Sequence, residues 1–549
     1  MNEFKENLLD QLDKRVQDKI LEPTNAELLK KLIMNAESDN EAMMIAELGT
    51  TYRRTGLHFD KRLEKMTNDI RYFKKNEVLS FHTEDNKPVH KLIIGDNYEA
   101  LQNLLIQYRS KVDVIYIDPP YGKDSMGEFA QTNYQNAITR DNLLSMLYPR
   151  LMLAKMLLSE SGVIFCSIDD RNQAYVKCLF DEVMGEANYV DTLHWKRKKQ
   201  PSFLAKHTAK VMEFVLVYAK NWGSLGKLSI EKLSDATKKV VNLTNQESVR
   251  HFSKGVRVKC GKNGVIKKGR YTIKTMSVEY MNDIVYENGV TQNEVDVKAL
   301  FSVSQEKIDN YISQKLLFIT ANYGLRRDVS DEETKNEKAI TDLLLDWGDN
   351  QDSEKELKEI FQNKLFDYPK PTKLVSNLIK SASDQEAIIL DFFAGSGTTG
   401  HSVLDLDNTD GGIRTFILCQ LNENLDEALK GTKDNNSREI IEKQIALCDQ
   451  YKRPHELSEI TAERLRRVMT GKTFDGSSDF GWAKKNKPYG GNLDVYEIAS
   501  VANFESTNGK TAFDVIDETL YGQKHFDHLS DKVKWVCENF SNTQKQMEE

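Results

Sequence analysis

Apolar and polar positions alternate with different periods in different parts of this chain. Up to about residue 85, Leu, Ile and Met recur at helical spacing among charges (Leu8, Leu9, Leu12; Leu28, Leu29, Leu32, Ile33), with breaks around Pro23 and Gly49. That period predicts short amphipathic helices, used for docking, dimerisation or capping a core. A new pattern then begins. His90 to Ile94 runs into Gly95-Asp96-Asn97 and a helix over 98–108, and Val112 to Ile117 forms a second apolar run. A helix follows over roughly 143–158, then a third strand from Gly162 to Ile168, closed by Asp169-Asp170. A helix over 173–183 and the run Phe214 to Tyr218 complete a half-sheet. Short apolar runs alternating with helices predict an α/β fold: a doubly wound, mostly parallel, Rossmann-like sheet.

From about 222 to 345 the alternation stops and basic, Gly-containing, short-stranded sequence takes over, followed by helices. The α/β pattern resumes at Ala387 to Leu390 and continues with Arg414 to Cys419. One sheet interrupted by an inserted domain is therefore expected, with charged helices and a mixed segment after it. The expected units are an N-terminal helical region (1–88), a first half-sheet (89–221), the insertion (222–345), a second half-sheet (346–430) and a C-terminal region (431–549).

Composition changes this picture in two places. A chain of 549 residues is too long for one compact core. No window reaches the length of a membrane span, and the N-terminus lacks the apolar stretch of a signal peptide, so a cytoplasmic protein is expected. Six cysteines without a Cys-x-x-Cys pair argue against a disulfide framework and a structural zinc site; no metal is expected. The net charge of −8 disfavours a polyanionic partner on average, but the charge is unevenly spread. Arg250 to Lys274 holds nine Lys or Arg, Arg257, Lys259, Lys267, Lys268 and Arg270 among them, and no acid. A second cluster, Lys196-Arg197-Lys198-Lys199, is followed by Lys206 and Lys210. Local fields of this kind, rather than the total, decide phosphate binding.

Two motifs carry candidate chemistry. Asp391-Phe392-Phe393-Ala394-Gly395-Ser396-Gly397-Thr398-Thr399 joins a buried strand to a helix, where glycines let a ligand approach the backbone and amides face outward. His401 stands where a Walker loop needs Lys, while Gly395, Gly397 and Gly400 fit a dinucleotide loop as well as an S-adenosylmethionine loop. Glu423, at the end of the next strand, could accept both ribose hydroxyls of either cofactor. The tie is broken by Asp118-Pro119-Pro120-Tyr121 at the end of the second strand. An adenine N6 amine is a weak nucleophile because its lone pair is delocalised into the ring. The Asp118 carboxylate and the Pro119 carbonyl can accept its two hydrogens and favour a pyramidal nitrogen, and Tyr121 can stack on the base. Methyl transfer is then an in-line displacement governed by positioning, on a base that must first leave the duplex stack. Phe129 and Tyr134 could flank that base, although packing of their own loop suits them better.

Together these stretches resemble DNA amino-methyltransferases of the β order, in which Asp-Pro-Pro-Tyr precedes Phe-x-Gly-x-Gly. More closely, the chain is similar to Mod subunits of type III restriction–modification systems. The matching stretches are 92–97, 115–121, 167–170, 213–218, 366–371, 391–399 and 420–423. The resemblance implies S-adenosylmethionine as cofactor, with Phe393, Gly395, Gly397 and Thr398 framing its methionine part and Asp391 near its ammonium. Glu423 would take its ribose and Asp96 its adenine, and Lys370 and Thr372 would meet its carboxylate. It also implies 222–345 as a target-recognition domain for double-stranded DNA, a homodimer, and a separate helicase–nuclease partner. Gly122-Lys123-Asp124 departs from the family's usual Asn-Thr-Gly after the tyrosine. Cytosine-N4 methylation, a stand-alone epigenetic enzyme and a catalytically idle specificity subunit are the alternatives.

Overall fold

A computed structural model describes residues 3–17, 21, 23–48, 69–121, 140–201, 207–232, 237–273, 276–330, 337–502, 526 and 528–548. Lys206, Lys274, Phe129 and Tyr134 lie outside the described residues. At the N-terminus, helices α1 (Glu3–Gln17), α2 (Pro23–Asn35) and α3 (Asp39–Leu48) bury Leu8, Leu12, Ile33 and Ala42 in a small core of their own.

The central sheet has eleven strands. Nine are β1 (Asp69–Lys75), β2 (Val89–Ile94), β3 (Val112–Ile117), β4 (Leu158–Ile168), β5 (Tyr189–Lys196), β6 (Met212–Ala219), β7 (Ile388–Asp391), β8 (Thr415–Gln420) and β9 (Asn492–Ala502). The other two, Phe81–His82 and Leu343–Leu344, pair with β9 and β5. The order is β1-β9-β2-β8-β7-β3-β4-β6-β5, and every pairing from β9 to β4 is parallel. Leu92, Val114, Tyr116 and Ile389 point to one face, where α7 (Asn350–Phe361), α8 (Thr372–Ala382), α9 (Thr398–Asp410) and α10 (Leu457–Thr470) pack. Ile93, Ile115, Ile117 and Leu390 point to the other, covered by α4 (Asn97–Tyr108), α5 (Arg140–Leu157) and α6 (Gln173–Met184). Burial on both faces explains why these strands are mostly apolar, with polar residues such as Asp113 and Lys91 only half-buried.

Both ends of the chain depart from expectation. The region expected to be helical up to residue 88 contributes β1, and the C-terminal segment contributes β9, inserted between β1 and β2. Neither strand announces itself locally, because each is completed by a partner more than 400 residues away in sequence (Phe73 opposite Ile498). Strand β5 is also weakly signalled: it alternates Thr192 and His194 with Leu193 and Trp195, and only the second pair is buried.

Between β6 and α7 the chain builds separate sheets of four, seven and two strands. Phe252, Tyr280, Ile284, Val297 and Leu317 form a core there that is distinct from the two flanking the central sheet.

Candidate active site at the carboxyl edge of the sheet

The strand order brings distant motifs together. β3 and β7 are adjacent and parallel (Ile389 opposite Val114, Leu390 opposite Ile115), so Asp118 and the glycine loop leave the same edge side by side. β8 and β2 follow on the far side of β7, which puts Glu423 and Asp96 at that edge as well. The carboxyl ends of parallel strands at such a crossing are where doubly wound sheets hold ligands.

The glycine loop is shaped by its backbone and by what lies behind it. Gly395 (φ +51°) and Gly397 (φ +76°) are left-handed, a conformation that costs a side-chain-bearing residue about 1 kcal/mol or more. A Cβ at Gly397 would come within 3.3 Å of Thr461, and one at Gly400 within 2.8 Å of Leu465, so α10 lies against the loop. At Gly395 nothing but the Phe393 carbonyl oxygen is near, 3.8 Å away, which leaves room for a ligand. The Thr461 hydroxyl donates to the Gly395 carbonyl (2.7 Å). The buried Arg464 guanidinium donates to the Ser396 hydroxyl and to Thr398 Oγ1 (both 2.9 Å). Behind them Glu356 receives the Thr372 hydroxyl and lies 3.2 Å from His401 Nδ1. This backing cluster is invisible in the sequence. Arg464 lies in an ordinary amphipathic helix, and only the tertiary approach of α10 gives it a role.

Asp391 is buried and accepts from the Phe393 amide (2.9 Å) and the Thr399 hydroxyl (2.5 Å). Burial pushes its carboxyl up to about 7 against these two donors, and the charge of Asp118 adds to the rise. Phe393 packs partly buried against the neighbouring core. Burial alone pushes Glu423 up to about 7, and its carboxylate has no hydrogen-bond or ion-pair partner among the described residues. Asp96 caps α4 by accepting from the Tyr98 amide (2.7 Å) and is held by Arg150 (2.9 Å). Arg150 also donates to Asn97, whose amide donates to the Phe392 carbonyl (2.8 Å), tying the end of β2 to the glycine loop.

At the tip of β3, Pro119 is buried while Asp118, Pro120 and Tyr121 are half-buried. Tyr121 OH donates to Asp118 Oδ1 (2.9 Å). The buried Lys370 ammonium donates to Asp118 Oδ1 (2.9 Å) and Oδ2 (2.8 Å) and to Tyr121 OH (3.0 Å). Glu213 Oε2 is 3.7 Å from it, and Oε1 accepts from Arg197 (2.6 Å). Burial acts to lower the pKa of Lys370, but Asp118 and Glu213 outweigh it and the pKa is raised. The two residues expected at a cofactor carboxylate therefore have other partners here: Lys370 holds Asp118, and Thr372 holds Glu356. Glu213, at the head of β6, joins this cluster although in the sequence it reads only as part of a strand. Ser167 and Asp169 are structural, bonding Tyr116 OH (2.9 Å) and the Asn172 amide (3.1 Å).

The basic clusters differ from their reading in sequence. Lys196 and Lys198 are half-buried around Arg197, and Lys199 reaches Asp349 (3.3 Å) and Asp352 (3.1 Å) at the start of α7. In the 250–274 run, Arg257 pairs with Asp328, Lys267 with Asp283 (3.0 Å) and Arg270 with Glu247 (3.4 Å). Lys259 lies 3.7 Å over the Phe318 ring. Strand pairing thus imports acids that the linear run lacks. Lys254, Lys262 and Lys268 have no ion pair among the described residues and are exposed.

Comparison with known proteins agrees with this arrangement. The chain is 32% identical to the Type III restriction-modification enzyme StyLTI Mod subunit of Salmonella typhimurium, over 78% of this chain and 65% of that protein. It is 29% identical to the EcoPI Mod subunit of Escherichia phage P1, over 64% of this chain and 60% of that one. The Type II methyltransferase M.KpnI of Klebsiella pneumoniae is 25% identical over 60% of this chain and 80% of its own length. The chain thus spans less than two thirds of either Mod subunit. A family model described as an uncharacterised conserved protein matches residues 3–114. A model described as DNA methylase matches 112–430, from β3 through the Asp118 tip, the glycine loop and Glu423. With both motifs and more than half of its 549 residues inside that match, the chain belongs to the DNA methylase family.

Proposed function

We propose that this protein is an S-adenosylmethionine-dependent DNA adenine-N6 methyltransferase, acting as the modification and specificity subunit of a type III restriction–modification system. The observation that carries the reading is the adjacency of β3 and β7, which sets an amine acceptor, Asp118, beside an open glycine loop. The names of the StyLTI and EcoPI relatives support the type III assignment. Double-stranded DNA as substrate, a homodimer and a helicase–nuclease partner belong to the same reading. M.KpnI, a type II enzyme, favours a second one: methylation without such a partner.

The donor set fits the cofactor. Glu423 is an unsatisfied, largely shielded acid suited to a pair of hydroxyls, and Asp391 is a buried acid suited to an ammonium. A side chain at Gly395 would meet nothing but the Phe393 carbonyl oxygen, so the loop has room for a ligand there. When bound, the cofactor supplies a methyl group on a sulfonium, whose bonding pair stays with sulfur as the neutral thioether. Asp118 and the Pro119 carbonyl accept the two amine hydrogens and aim the nitrogen lone pair, Tyr121 supports the ring of the flipped base, and the methylated nitrogen then gives up one proton through Asp118 to solvent. Modification-sensitive long-read sequencing of DNA from a host expressing the protein tests the reading: methylated adenine within one short sequence is expected, and unmodified DNA would refute it.

Both cofactor acids are half ionised near neutrality, and the ligand's ammonium and hydroxyl donors favour the ionised form. Binding should therefore release protons at pH 7. Affinity should rise from pH 6 to 7.5 by roughly tenfold for each group, from the ionised fractions alone. Calorimetry in buffers of different protonation enthalpy reads this directly, and buffer-independent enthalpies would argue against it.

For DNA, the unpaired cations should matter more than the paired ones. Lys262→Glu with Lys268→Glu should lower the slope of log K against log salt by about 0.9 for each phosphate no longer neutralised. Lys267→Ala, already neutralised by Asp283, should change it less. Equal slopes for all three proteins would remove this face from the interface.

A further inference from the structure

The Lys370 ammonium occupies both oxygens of the carboxylate that the target amine needs. We propose that Lys370 is a two-position latch. It masks Asp118 in the empty site and transfers to Glu213 when the amine arrives, which unmasks the acceptor for methyl transfer. This rests on the reading of Asp118 as the amine acceptor.

Electrostatics requires the first half of the proposal. As the nitrogen attacks a methyl group it gains positive charge, and Asp118 is the charge placed to stabilise it. An ammonium bonded to both oxygens of that carboxylate cancels the effect and adds repulsion from a few ångströms away. With Tyr121 OH also donating to Oδ1, three hydrogen bonds already fill most of the carboxylate's about four accepting sites, and the amine hydrogen that Asp118 is to accept must compete with an ammonium for the rest. Lysine and amine are rival donors for one acceptor.

The surroundings supply the second position. Glu213 Oε2 is 3.7 Å from Nζ, one side-chain rotation away, while Oε1 is held by Arg197 (2.6 Å). Arg197 thereby turns the free oxygen of Glu213 toward the lysine. The path is lined for a cation, with the Tyr121 and Trp195 rings 5.1 and 6.0 Å from Nζ. Trp195 is fixed by its indole N–H on the Gly348 carbonyl (2.8 Å). Pro369 and Pro371 flank Lys370 and stiffen the backbone, so motion is confined to the side chain. Asp118, Glu213, Lys370 and Arg197 are two acids and two bases. Moving the ammonium therefore leaves the cluster neutral while returning a full negative charge to the amine's side.

Glu213→Gln removes the second seat and Lys370→Met removes the latch. In single-turnover methylation of a duplex bearing the mapped site, at saturating cofactor, Glu213→Gln should be slowed about 100-fold, about 2.7 kcal/mol. Its DNA and cofactor affinities should stay within about threefold of the unmodified protein's. The double variant E213Q/K370M should recover at least about tenfold over Glu213→Gln, because nothing is left to strand on Asp118. A readout independent of cofactor and catalysis compares binding of two duplexes, with adenine or unsubstituted purine at the target position. The preference for adenine should be at least about tenfold greater in Lys370→Met than in the unmodified protein, since the amine no longer competes with the ammonium. A double variant as slow as Glu213→Gln, or unchanged base preference in a folded Lys370→Met, overturns the latch. An unmodified protein that methylates no DNA overturns the function itself.

Discussion

Asp118→Ala should abolish methyl transfer, by a factor of about 10³ or more, while cofactor and DNA affinities stay close to those of the unmodified protein. The substitution removes the charged half of the amine-binding pair and leaves only the Pro119 carbonyl to orient the nitrogen. The glycine loop, Asp391 and Glu423 are built on β7 and β8 and backed by α10, so their geometry does not depend on the tip of β3, and loss of the Asp118 charge would only ease ionisation of Asp391. The substitution also takes away the two carboxylate bonds of a buried lysine, which in an isolated pair costs about 3–5 kcal/mol. Here Glu213 stands 3.7 Å away, so the ammonium has a second acid and the stability loss should be smaller. Asp118→Asn is the stricter form of the test, because it keeps the shape and one acceptor oxygen but loses the charge. A rate within tenfold of the unmodified protein for Asp118→Asn would mean that geometry, not charge, does the work. Retained methylation in Asp118→Ala would remove Asp118 from the reaction. Incorporation of labelled methyl groups into DNA, alongside equilibrium binding of cofactor and duplex, separates these outcomes.

What is legible in the sequence and what is not divide along physical lines. Buried parallel strands such as Val112–Ile117 and Ile388–Asp391 announce themselves, because burial on both faces favours a mostly apolar run, here broken only by Asp113 and ended by Asp391. The turns after them carry chemistry in fixed local order, so Asp118 and the Gly395–Gly397 loop are legible without coordinates. β1 and β9 are not, since their partner positions lie at the other end of the chain and pairing, rather than propensity, makes them strands. The same limit applies to charge. Lys267 and Arg257 sit in an acid-free stretch of sequence, yet Asp283 and Asp328 meet them across the fold. Arg197, expected at DNA from its cluster, bonds Glu213, a partner the sequence does not show. Lys370 enters through the family resemblance alone, and its partner Asp118 is not legible in the sequence.

The largest effect outside the reacting groups is expected from Arg464, which lies beyond the stretch matched by the DNA methylase model. Its guanidinium is fully buried, with Nη1 donating to the back of the glycine loop at the Ser396 carbonyl (3.2 Å) and hydroxyl (2.9 Å) and at Thr398 Oγ1 (2.9 Å), while Nη2 faces His401 Nδ1 (3.2 Å). Glu356, whose carboxyl burial pushes up, is 3.6 Å away, and Arg464 is its main opposing charge. Arg464→Met would strand that acid and leave the Ser396 carbonyl short of a donor, a loss of about 3 kcal/mol by the usual cost of breaking a buried pair. The loop would also lose what holds Gly395 and Gly397 in register, so cofactor affinity should fall at least about tenfold in the protein that remains folded. Arg464→Lys separates the two effects. A lysine can still face Glu356 and recover part of the stability, but its one ammonium cannot also serve Ser396 and Thr398 as the separate Nη1 of the arginine does, so affinity should stay low. Thr461→Val gives a milder version, removing one 2.7 Å bond to the Gly395 carbonyl at about 1 kcal/mol. Urea unfolding midpoints measured beside cofactor affinities decide the matter. If affinity in Arg464→Lys recovers in step with stability, α10 is only a structural brace; if affinity stays low while stability recovers, Arg464 positions the cofactor loop.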